Sequence, residues 1–515
     1  MAISTVDNEL EAAENPLTEG LERLPVRSTA LVIFGAMGDL ASRKLLPAIY
    51  NLAHDGALPE RIALIGVSRA EMTDDVFRTH ARESVDRFSR RRPDQDVLEG
   101  LLSNIHYVSG SFDDESLYAR LRDSLDGLDA GLGTPVNRVF YLSTAPEFFP
   151  VITGQLGEAG LNTAEDAEVR VVIEKPIGYD LASARAQNEA VLHYFNESQV
   201  FRIDHYLGKE TVQNLMALRF ANALFEPVWN RNFIDNVQIT AAEDIGIGTR
   251  AGYYEGAGAL RDLVQNHMLQ LLALLTMEPP TAFEANRLRD EKVKVLEAIA
   301  PPALDEVADM SVRAQYGPGV VSGAESVGYR DEPGVAPDSR TETYAALRLH
   351  VNNWRWAGVP FYLRTGKRMT RKLTEIAVTL RPVPHIAFQG ADSAGVQPNQ
   401  IILTLQPDEA VSVSLGAKVP GTKMQIRPVN MEFHYGTSFL SESPEAYERL
   451  ILDVMRGDAT LFTRNDEVEA LWRIIDPILA AWGEDTTSPI PQYPAGSAGP
   501  AEANELLDGR SWRRL

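Results

Sequence analysis

The segment from Phe201 to Glu210 holds a dense group of reactive side chains. It reads FRIDHYLGKE and is flanked by apolar segments on both sides. Chance surface composition rarely produces such a run, so the segment indicates a polar site able to bind or transform an ionic ligand. Six of its ten residues are ionisable, namely Arg202, Asp204, His205, Tyr206, Lys209 and Glu210.

A second polar group stands at the start of an apolar helix. Asp262, Gln265, Asn266 and His267 come directly before the core-like run Leu269–Leu275. A single helix histidine is most often structural, but four polar residues ahead of a core segment favour a site. On an ideal α-helix Asp262 lies about 140° from His267, so their side chains need not share a face.

A basic segment interrupts an otherwise acidic chain. Arg364, Lys367, Arg368, Arg371 and Lys372 fall within ten residues. Five cations at this spacing are typical of an anion site or of a solvated loop. Composition alone slightly favours the loop.

A glycine loop follows the first apolar strand. Gly35-Ala36-Met37-Gly38-Asp39 comes after Ala30–Phe34 and before a predicted helix from Leu40 to Ala53. Such a loop offers N–H groups and the positive end of a helix to a phosphate. Because Met37 occupies the middle position of the G-x-G-x-x-G fingerprint, a simple tight turn is an equally good interpretation of the motif alone.

The end of the second strand indicates which cofactor such a loop would bind. Ile62–Val67 leads into Ser68 and Arg69, whereas folds that prefer NAD usually place an acid there for the ribose hydroxyls. A hydroxyl and a guanidinium suit the 2′-phosphate of NADP instead. The alternative is a solvated surface arginine.

A charged pair ends a later apolar strand. Glu174 and Lys175 follow Val172-Ile173 and precede Pro176. Open α/β sheets bind ligands at the carboxyl ends of their strands, so this pair is a site candidate. An ordinary ion pair at a strand end is the alternative.

Charge and composition exclude several classes of function. The 515 residues carry 49 Lys+Arg and 72 Asp+Glu, a net charge of −23, and no cysteine. An acidic surface repels nucleic acid and anionic lipid, and no apolar run reaches the roughly 18 residues of a membrane span. The lack of cysteine excludes disulfides and thiolate chemistry. The acidic N-terminal sequence lacks secretory-signal features, which predicts a cytoplasmic protein.

The order of predicted elements changes midway along the chain. Strands alternate with helices up to Glu174, which predicts a doubly wound, Rossmann-like parallel sheet. From Asn236 onward two-residue alternation predicts a larger α+β domain with a mainly antiparallel sheet. The expected divisions are an acidic N-terminal tail (1–27), a nucleotide-binding domain (28–205), a substrate-binding and oligomerisation domain (206–490) and an extended C-terminal tail (491–515).

Together these motifs resemble those of the glucose-6-phosphate dehydrogenase family. Gly35–Ala41 is similar to its nucleotide loop, Glu174–Gly178 to its EKPxG element, and Arg202–Glu210 matches its RIDHYLGKE signature without a substitution. The similarity covers nearly everything from about 28 to 485. Met37 departs from the family, which more often has Ser or Thr, and this puts one hydroxyl contact to the cofactor phosphates in doubt.

The resemblance implies a reaction. Glucose 6-phosphate would be oxidised at C1 to 6-phosphogluconolactone with hydride transfer to NADP+, the entry step of the pentose phosphate pathway. His267 would be the general base and Asp204 its partner, a role that suits an imidazole of ordinary pKa near 6.5. No metal is expected, because the cofactor takes the hydride.

The resemblance also implies the other site residues, and it predicts a cis peptide bond before Pro176. Lys175 is expected between sugar and cofactor, and Arg371 is the alternative to Lys372. The expected substrate contacts are Lys175, His205, Tyr206, Lys209, Glu243, Asp262, Lys367 and Lys372. The expected cofactor contacts are Gly35, Ala36, Met37, Gly38, Asp39, Leu40, Arg69 and Lys175.

Two other functions stay open from the sequence. One is an NADP oxidoreductase for another sugar phosphate or for free glucose, and retention of His205, Tyr206 and Lys209 argues against free glucose. The other is a non-catalytic NADP-binding regulator, and the intact pair of Asp204 and His267 argues against it.

The resemblance also implies that the protein is a homodimer or homotetramer.

Overall fold

The computed structural model describes residues 26–59, 61–385, 396–422, 424–434 and 444–515. Residues 1–25, most of the predicted acidic tail, lie outside the described residues. Within the described ranges, no helix combines the length and apolarity that crossing a membrane requires.

The first sheet contains six strands, and every neighbouring pair is parallel. Their spatial order, in chain numbering, is 3-2-1-4-5-6. The first and fourth strands are buried along their whole length, as expected for a parallel sheet covered on both faces. In chain order they are β1 (Thr29–Phe34), β2 (Ile62–Ser68), β3 (Ile105–Ser109), β4 (Asn137–Leu142), β5 (Val169–Ile173) and β6 (Val200–Arg202).

Helices connect these strands, so the predicted doubly wound α/β fold is confirmed. The strand order reverses between β1 and β4, and the crevice at such a switch point is where open sheets bind ligands. The helices of this part are Ala41–Leu45, Leu46–His54, Asp74–Phe88, Gln95–Leu102, Glu115–Leu132, Pro146–Phe148, Phe149–Glu158, Leu181–Leu192 and Glu197–Gln199.

The second sheet has nine strands and is mainly antiparallel, which confirms the second half of the fold prediction. Its order is β16-β15-β14-β13-β7-β12-β11-β8-β17, with β7–β12 and β8–β17 as the parallel pairs. A separate hairpin pairs β9 with β10. The strands are β7 (Ile234–Ala242), β8 (Ser311–Gly317), β9 (Gly319–Val321), β10 (Ala324–Ser326), β11 (Tyr344–His350), β12 (Pro360–Gly366), β13 (Leu373–Leu380), β14 (Gln400–Gln406), β15 (Ala410–Lys418), β16 (Ile426–His434) and β17 (Gln492–Pro494).

The remaining helices pack on this sheet and against the first domain. Leu260–Thr276, predicted as one helix, begins as a π-helix and continues as an α-helix. The helices are Glu210–Phe220, Glu226–Val228, Ala251–Ala259, Leu260–Met268, Leu269–Thr276, Ala285–Glu297, Val307–Met310, Tyr329–Asp331, Ala446–Arg456, Asn465–Glu484 and Ala501–Leu507.

The C-terminal segment is not the extended tail that its composition predicts. Gln492–Pro494 adds β17 to the sheet, and Leu506 and Leu507 are buried. Arg513 Nε donates to Glu375 Oε1 at 2.7 Å. The prediction was wrong because a segment rich in proline and small residues has a composition typical of disorder. The segment is ordered by contacts with β8 and Glu375, which are distant in sequence.

Candidate active site

Two neighbouring parallel strands deliver the central polar residues to one edge of the first sheet. Lys175 follows β5, and Asp204 and His205 follow β6. Because β5 and β6 are parallel neighbours, these side chains emerge at the same carboxyl edge. The Lys175–Pro176 peptide bond is cis, as predicted.

The helix that carries His267 is wound so that Asp262 and His267 face the same group. Leu260–Met268 is a π-helix, whose wider i→i+5 turn brings residues five apart closer to one face than an α-helix does. Lys175 Nζ lies 3.6 Å from Asp262 Oδ1 and 2.8 Å from His267 Nε2, so both side chains contact the same ammonium. The 140° separation expected from ideal α-helix geometry is therefore wrong here.

His267 is held on both sides. Its Nδ1 lies 2.5 Å from Asp204 Oδ1, which also accepts the backbone N–H of Tyr206 at 2.9 Å. The Tyr206 ring stacks on the imidazole, with centroids 4.2 Å apart and planes 17° apart. Since a carboxylate only accepts and an ammonium only donates, the partners select the tautomer protonated at Nδ1.

Electrostatics keep His267 in its basic form. Burial lowers the pKa of His267 well below its ordinary value, and the Lys175 ammonium lowers it further, whereas Asp262 acts in the opposite direction. The imidazole is therefore neutral at pH 7, with the Nε2 lone pair directed at the cleft. A neutral, oriented imidazole of this kind can take a proton from a hydroxyl group.

A cavity of about 610 Å³ opens beside this imidazole, a volume in the range of small-molecule sites. It brings together seven of the predicted site residues, on elements from both halves of the chain. Its polar wall is formed by Lys175, His205, Tyr206, Glu243, Asp262, His267, Lys367, Arg250 and Arg368.

Alternating charges line one side of the cavity. Glu243 and Lys367 follow the parallel neighbours β7 and β12, and Lys367 Nζ lies 2.6 Å from Glu243 Oε2 and 3.7 Å from Asp262 Oδ2. Burial alone would raise the pKa of Asp262, but Lys175 and Lys367 outweigh it and lower the pKa. The Asp262 carboxylate is therefore ionised, and its oxygens and those of Glu243 can accept hydrogen bonds from hydroxyl groups.

A second basic group forms around Lys209. Its Nζ lies 4.1 Å from the centre of the Tyr206 ring. Burial lowers the pKa of Lys209 to about 8, and the charge of Lys372 contributes to the shift. The charge of Lys372 therefore acts on Lys209, whereas the charge of Arg371 acts on Glu375. The two lysines form a site of concentrated positive charge suited to an anion.

Sequence reasoning did not identify Gln406. It ends β14, and its Oε1 accepts from Lys209 Nζ at 3.1 Å while its Nε2 donates to Tyr206 Oη at 3.3 Å. The only sequence signal is a polar residue before Pro407 at the end of a strand, which is weak. Contact across 200 residues of chain makes it part of the site.

The nucleotide loop lies at the switch point between β1 and β4. Gly35 has φ +79°, and a Cβ there would lie 2.3 Å from the carbonyl oxygen of Ser143, so only glycine fits. Met37 and Gly38 are half-buried, while Asp39 is exposed and pairs with Arg43 at 2.7 Å. The N–H groups of Gly35 and Gly38 donate to the carbonyls of Val67 and Gly35, so the loop is a tight turn of the kind that opens a nucleotide-binding domain.

Arg69 follows β2 at the same edge of the sheet. It is exposed, and none of the described residues forms a hydrogen bond or ion pair with its guanidinium. A free guanidinium at the end of the second strand fits a dinucleotide with a 2′-phosphate. The residues present therefore fit NADP.

A doubly wound nucleotide domain whose carboxyl edge meets a buried histidine–carboxylate pair defines a dehydrogenase of the NAD(P)-dependent class. The family model "Glucose-6-phosphate dehydrogenase, NAD binding domain" matches residues 32–214, and "Glucose-6-phosphate dehydrogenase, C-terminal domain" matches residues 216–513. The chain belongs to the glucose-6-phosphate dehydrogenase family, as its motifs predicted.

Similar proteins cover nearly the whole chain. Glucose-6-phosphate 1-dehydrogenase 2 of Mycobacterium tuberculosis is 49% identical over 508 residues, which is 97% of this chain and 98% of the relative. The Chlamydia pneumoniae enzyme is 47% identical over 493 residues, 94% of this chain and 96% of its own.

Two solved structures are similar along nearly their whole length. Glucose-6-phosphate dehydrogenase in complex with its substrate glucose-6-phosphate has a TM-score of 0.87 at 34% identity and covers 95% of this chain and 100% of its own. The Mycobacterium avium enzyme has a TM-score of 0.81 at 38% identity, and the match covers 95% of this chain and 99% of the M. avium chain.

Proposed function

We propose that this protein oxidises glucose 6-phosphate at C1 to 6-phosphogluconolactone with NADP+ as hydride acceptor. The observation that carries the proposal is the contact of 2.5 Å between His267 Nδ1 and Asp204 Oδ1, which directs Nε2 into a cavity lined by cations and carboxylates. Such a site can take a hydroxyl proton while it holds an anionic sugar.

His267 is the general base in this proposal. The C1 hydroxyl takes the place that Lys175 Nζ occupies at Nε2, while Lys175 keeps its hydrogen bond to the carbonyl of Asp262. Nε2 then accepts the hydroxyl proton, and Asp204 stabilises the imidazolium, as an aspartate does in a catalytic triad. NADP+, when bound, accepts the hydride from C1.

Substrate recognition divides between two groups of side chains. Lys209, Lys372, His205 and Tyr206 bind the phosphate, because hydrogen bonds between cations and phosphate are charge-assisted and strong. Burial, together with the positive charge of the Lys175 ammonium, holds the pKa of His205 well below its ordinary value, so His205 serves as a neutral partner.

The second group binds the sugar. Glu243 and Asp262 accept hydrogen bonds from the hydroxyls, and Lys367, which contacts both carboxyl groups, holds them in place. Lys175 lies between the sugar and the cofactor. Gln406 orients Lys209 and Tyr206 through its two hydrogen bonds.

The cofactor lies across the switch point of the first sheet. Gly35–Leu40 holds the pyrophosphate, and Arg69 binds the 2′-phosphate that distinguishes NADP from NAD. The half-buried thioether of Met37 supplies only apolar contact where a hydroxyl would donate a hydrogen bond. Arg69 is therefore the main selector of the cofactor.

One assay separates this function from the alternatives. NADP+ reduction is followed at 340 nm with glucose 6-phosphate, galactose 6-phosphate or glucose. Hydrogen bonds to charged groups contribute about 1.5–3 kcal/mol each, so losing two should lower kcat/KM for glucose by roughly 10²–10⁴-fold. Equal rates with glucose would contradict the phosphate site, and no reduction with any sugar would favour the non-catalytic regulator.

A homodimer or homotetramer completes the proposal. β16 lies at the edge of the nine-stranded sheet, where Leu415 faces Val429 across the β15–β16 pair. Leu415, Val429 and Met431 are 37%, 46% and 64% exposed, and contiguous apolar surface of this kind marks an association site.

The cytoplasm is the proposed location of the protein. The acidic sequence without cysteine supports this proposal.

A further inference from the structure

A fully buried ion pair stands behind the helix that carries the catalytic histidine. Lys292 Nζ lies 2.6 Å from Glu467 Oε2, and both side chains are 0% exposed. Lys292 comes from Ala285–Glu297, and Glu467 lies in the first turn of Asn465–Glu484. The pair therefore joins two helices in the core, where neither charge meets water.

Gln270 connects this pair to the histidine helix. Its Oε1 accepts from Lys292 Nζ at 3.1 Å, and its Nε2 donates to Glu467 Oε2 at 3.1 Å. Gln270 is three residues after His267 in the same continuous helix, within a buried segment whose other residues, Thr276 apart, are apolar. One amide thus provides the polar link between the ion pair and the helix that carries His267.

Stability alone does not account for this arrangement. Burying two charges costs several kcal/mol of desolvation per ion, and replacing a buried pair by apolar residues is often neutral or stabilising. Hydrogen bonds are more directional than apolar contacts, and an amide bonded to both members of an ion pair has one satisfied position. The arrangement specifies where the helix stands.

We propose that Lys292 and Glu467, acting through Gln270, position His267 by fixing the rotation and axial position of its helix. This inference rests on the proposed role of His267 as the base. His267 must meet Asp204 with one ring nitrogen and the substrate with the other, and a misplacement of about 1 Å can cost on the order of 10²-fold in rate. The positive charge of Lys292 also favours the ionised form of Asp204, against the effect of burial, which raises the pKa of that carboxyl.

The main test replaces the pair with apolar residues in the full-length enzyme. Lys292→Met/Glu467→Met should fold with a lower melting temperature, because the buried Gln270 amide loses both partners and the N–H of Arg464 loses its acceptor on Glu467. Its kcat should fall about 10–100-fold, while KM for glucose 6-phosphate and for NADP+ stays within about twofold. A variant that folds with wild-type kcat would overturn the proposal.

A second variant decides the matter if the double variant does not fold. Gln270→Met removes only the link and keeps the ion pair. Its kcat should fall roughly tenfold with both KM values unchanged, and its crystal structure should show a longer distance between His267 Nδ1 and Asp204 Oδ1. Wild-type kcat in Gln270→Met, or an unmoved imidazole, would overturn the proposal.

A matched control lies at the other end of the same helix. Arg219 is fully buried, donates to the carbonyls of Leu274 and Met277, and pairs with Glu226 at 3.2 Å. Glu226→Gln should lower the melting temperature and leave kcat unchanged. For each variant, the loss of kcat is compared with the decrease in melting temperature. If this ratio is the same for Glu226→Gln and Gln270→Met, then Lys292, Glu467 and Gln270 are only structural and the proposal fails.

The activity of the wild-type enzyme separates failure of the proposed function from failure of the positioning role. If wild-type enzyme does not reduce NADP+ with glucose 6-phosphate, the proposed function is wrong, and these variants are not needed to show it. If wild-type enzyme is active and His267→Asn is not, but Gln270→Met matches wild type, only the positioning role is wrong.

Discussion

At the residue scale, the environment of His267 keeps its imidazole neutral and fixes which ring nitrogen carries the proton. Its pKa is lowered by burial first and by the Lys175 ammonium second, and the contact with Asp204 selects its tautomer. Proton transfer, phosphate binding and cofactor choice are assigned to different residues in the proposed function. Single substitutions of those residues can therefore test each role separately.

We expect His267→Asn to remove proton transfer with little effect on binding. Asparagine can still donate to Asp204 but lacks the basic Nε2, and general-base catalysis contributes about 10²–10⁴-fold. Steady-state kinetics should show kcat reduced by that factor and KM for glucose 6-phosphate nearly unchanged. A variant that keeps more than about a tenth of the wild-type kcat would refute the assignment.

Lys209→Ala and Lys372→Ala should weaken substrate binding selectively. Each removes a cation from the proposed phosphate site, and a charge-assisted hydrogen bond contributes about 1.5–3 kcal/mol. KM for glucose 6-phosphate should rise at least tenfold and KM for NADP+ should barely change. Arg371→Ala is the control, because its charge acts on Glu375 instead; a larger effect from Arg371→Ala would exchange the two assignments.

Arg69→Ala should reduce the preference for NADP+ over NAD+. The guanidinium is exposed and has no partner among the described residues, so its loss leaves the apoenzyme intact. Loss of one or two hydrogen bonds to the 2′-phosphate should raise KM for NADP+ roughly ten- to a few-hundred-fold. KM for NAD+, which has no such phosphate, serves as the internal control. An unchanged preference would show that another group selects the cofactor.

At the scale of elements, the π-helix Leu260–Met268 matters most. It begins after Gly258, where φ is +64° and ψ 176°, a region that is essentially restricted to glycine. Glu342 Oε1 accepts the N–H of Leu260 at 2.9 Å, which satisfies a donor at the helix start. This junction sets the direction in which the helix leaves and hence where Asp262 and His267 lie.

Gly258→Ala should therefore damage both stability and catalysis. A Cβ at position 258 would lie 2.3 Å from Glu342 Oε1, and the backbone strain alone costs about 1–3 kcal/mol. Thermal unfolding should show a lower melting temperature and kinetics a lower kcat. Gly256→Ala, two residues earlier in an exposed helical position with no atom within 4 Å, should stabilise the protein by up to about 1 kcal/mol. Equal effects of the two substitutions would contradict this account.

At the scale of the whole molecule, a chain of net charge −23 must bind two anionic ligands. A net negative surface gives no long-range attraction to an anionic ligand. In the proposed function, local cations must therefore bind the phosphates, namely Arg69 for the cofactor and Lys209 and Lys372 for the substrate. The acidic surface also limits non-specific association, and the apolar face of β15 and β16 therefore stands out as the proposed interface between copies of the chain.

We expect Val429→Lys/Met431→Lys to separate the oligomer. Two ammonium groups on this apolar face would be desolvated on association and would repel their symmetry mates. Sedimentation should give a multiple of 56.8 kDa for wild type and a smaller mass for the variant. Val76→Lys, at a 53% exposed apolar residue of the other domain, is the control. A monomeric wild type, or an unchanged mass in the variant, would contradict the proposal.

Much of the architecture follows from the sequence because its causes are local. Buried parallel strands such as Ala30–Phe34 are continuous apolar runs, whereas β15 of the second sheet alternates apolar and polar residues from Val411 to Leu415. The motif Arg202–Glu210 and the pair Glu174-Lys175 are contiguous, so they could be identified without the fold. The presence of a polar site at the carboxyl edge of the sheet, and the family itself, were therefore predictable.

Other features depend on contacts between distant parts of the chain, and only the tertiary structure decides them. The π-helix of His267, the role of Gln406 and the packing of the C-terminal segment all involve partners far away in sequence. The same is true of Lys292, which looks like a solvated lysine in a polar helix but is fully buried against Glu467. Local patterns report the face that a residue prefers, whereas burial, pKa and hydrogen-bond partners depend on which elements the fold brings together.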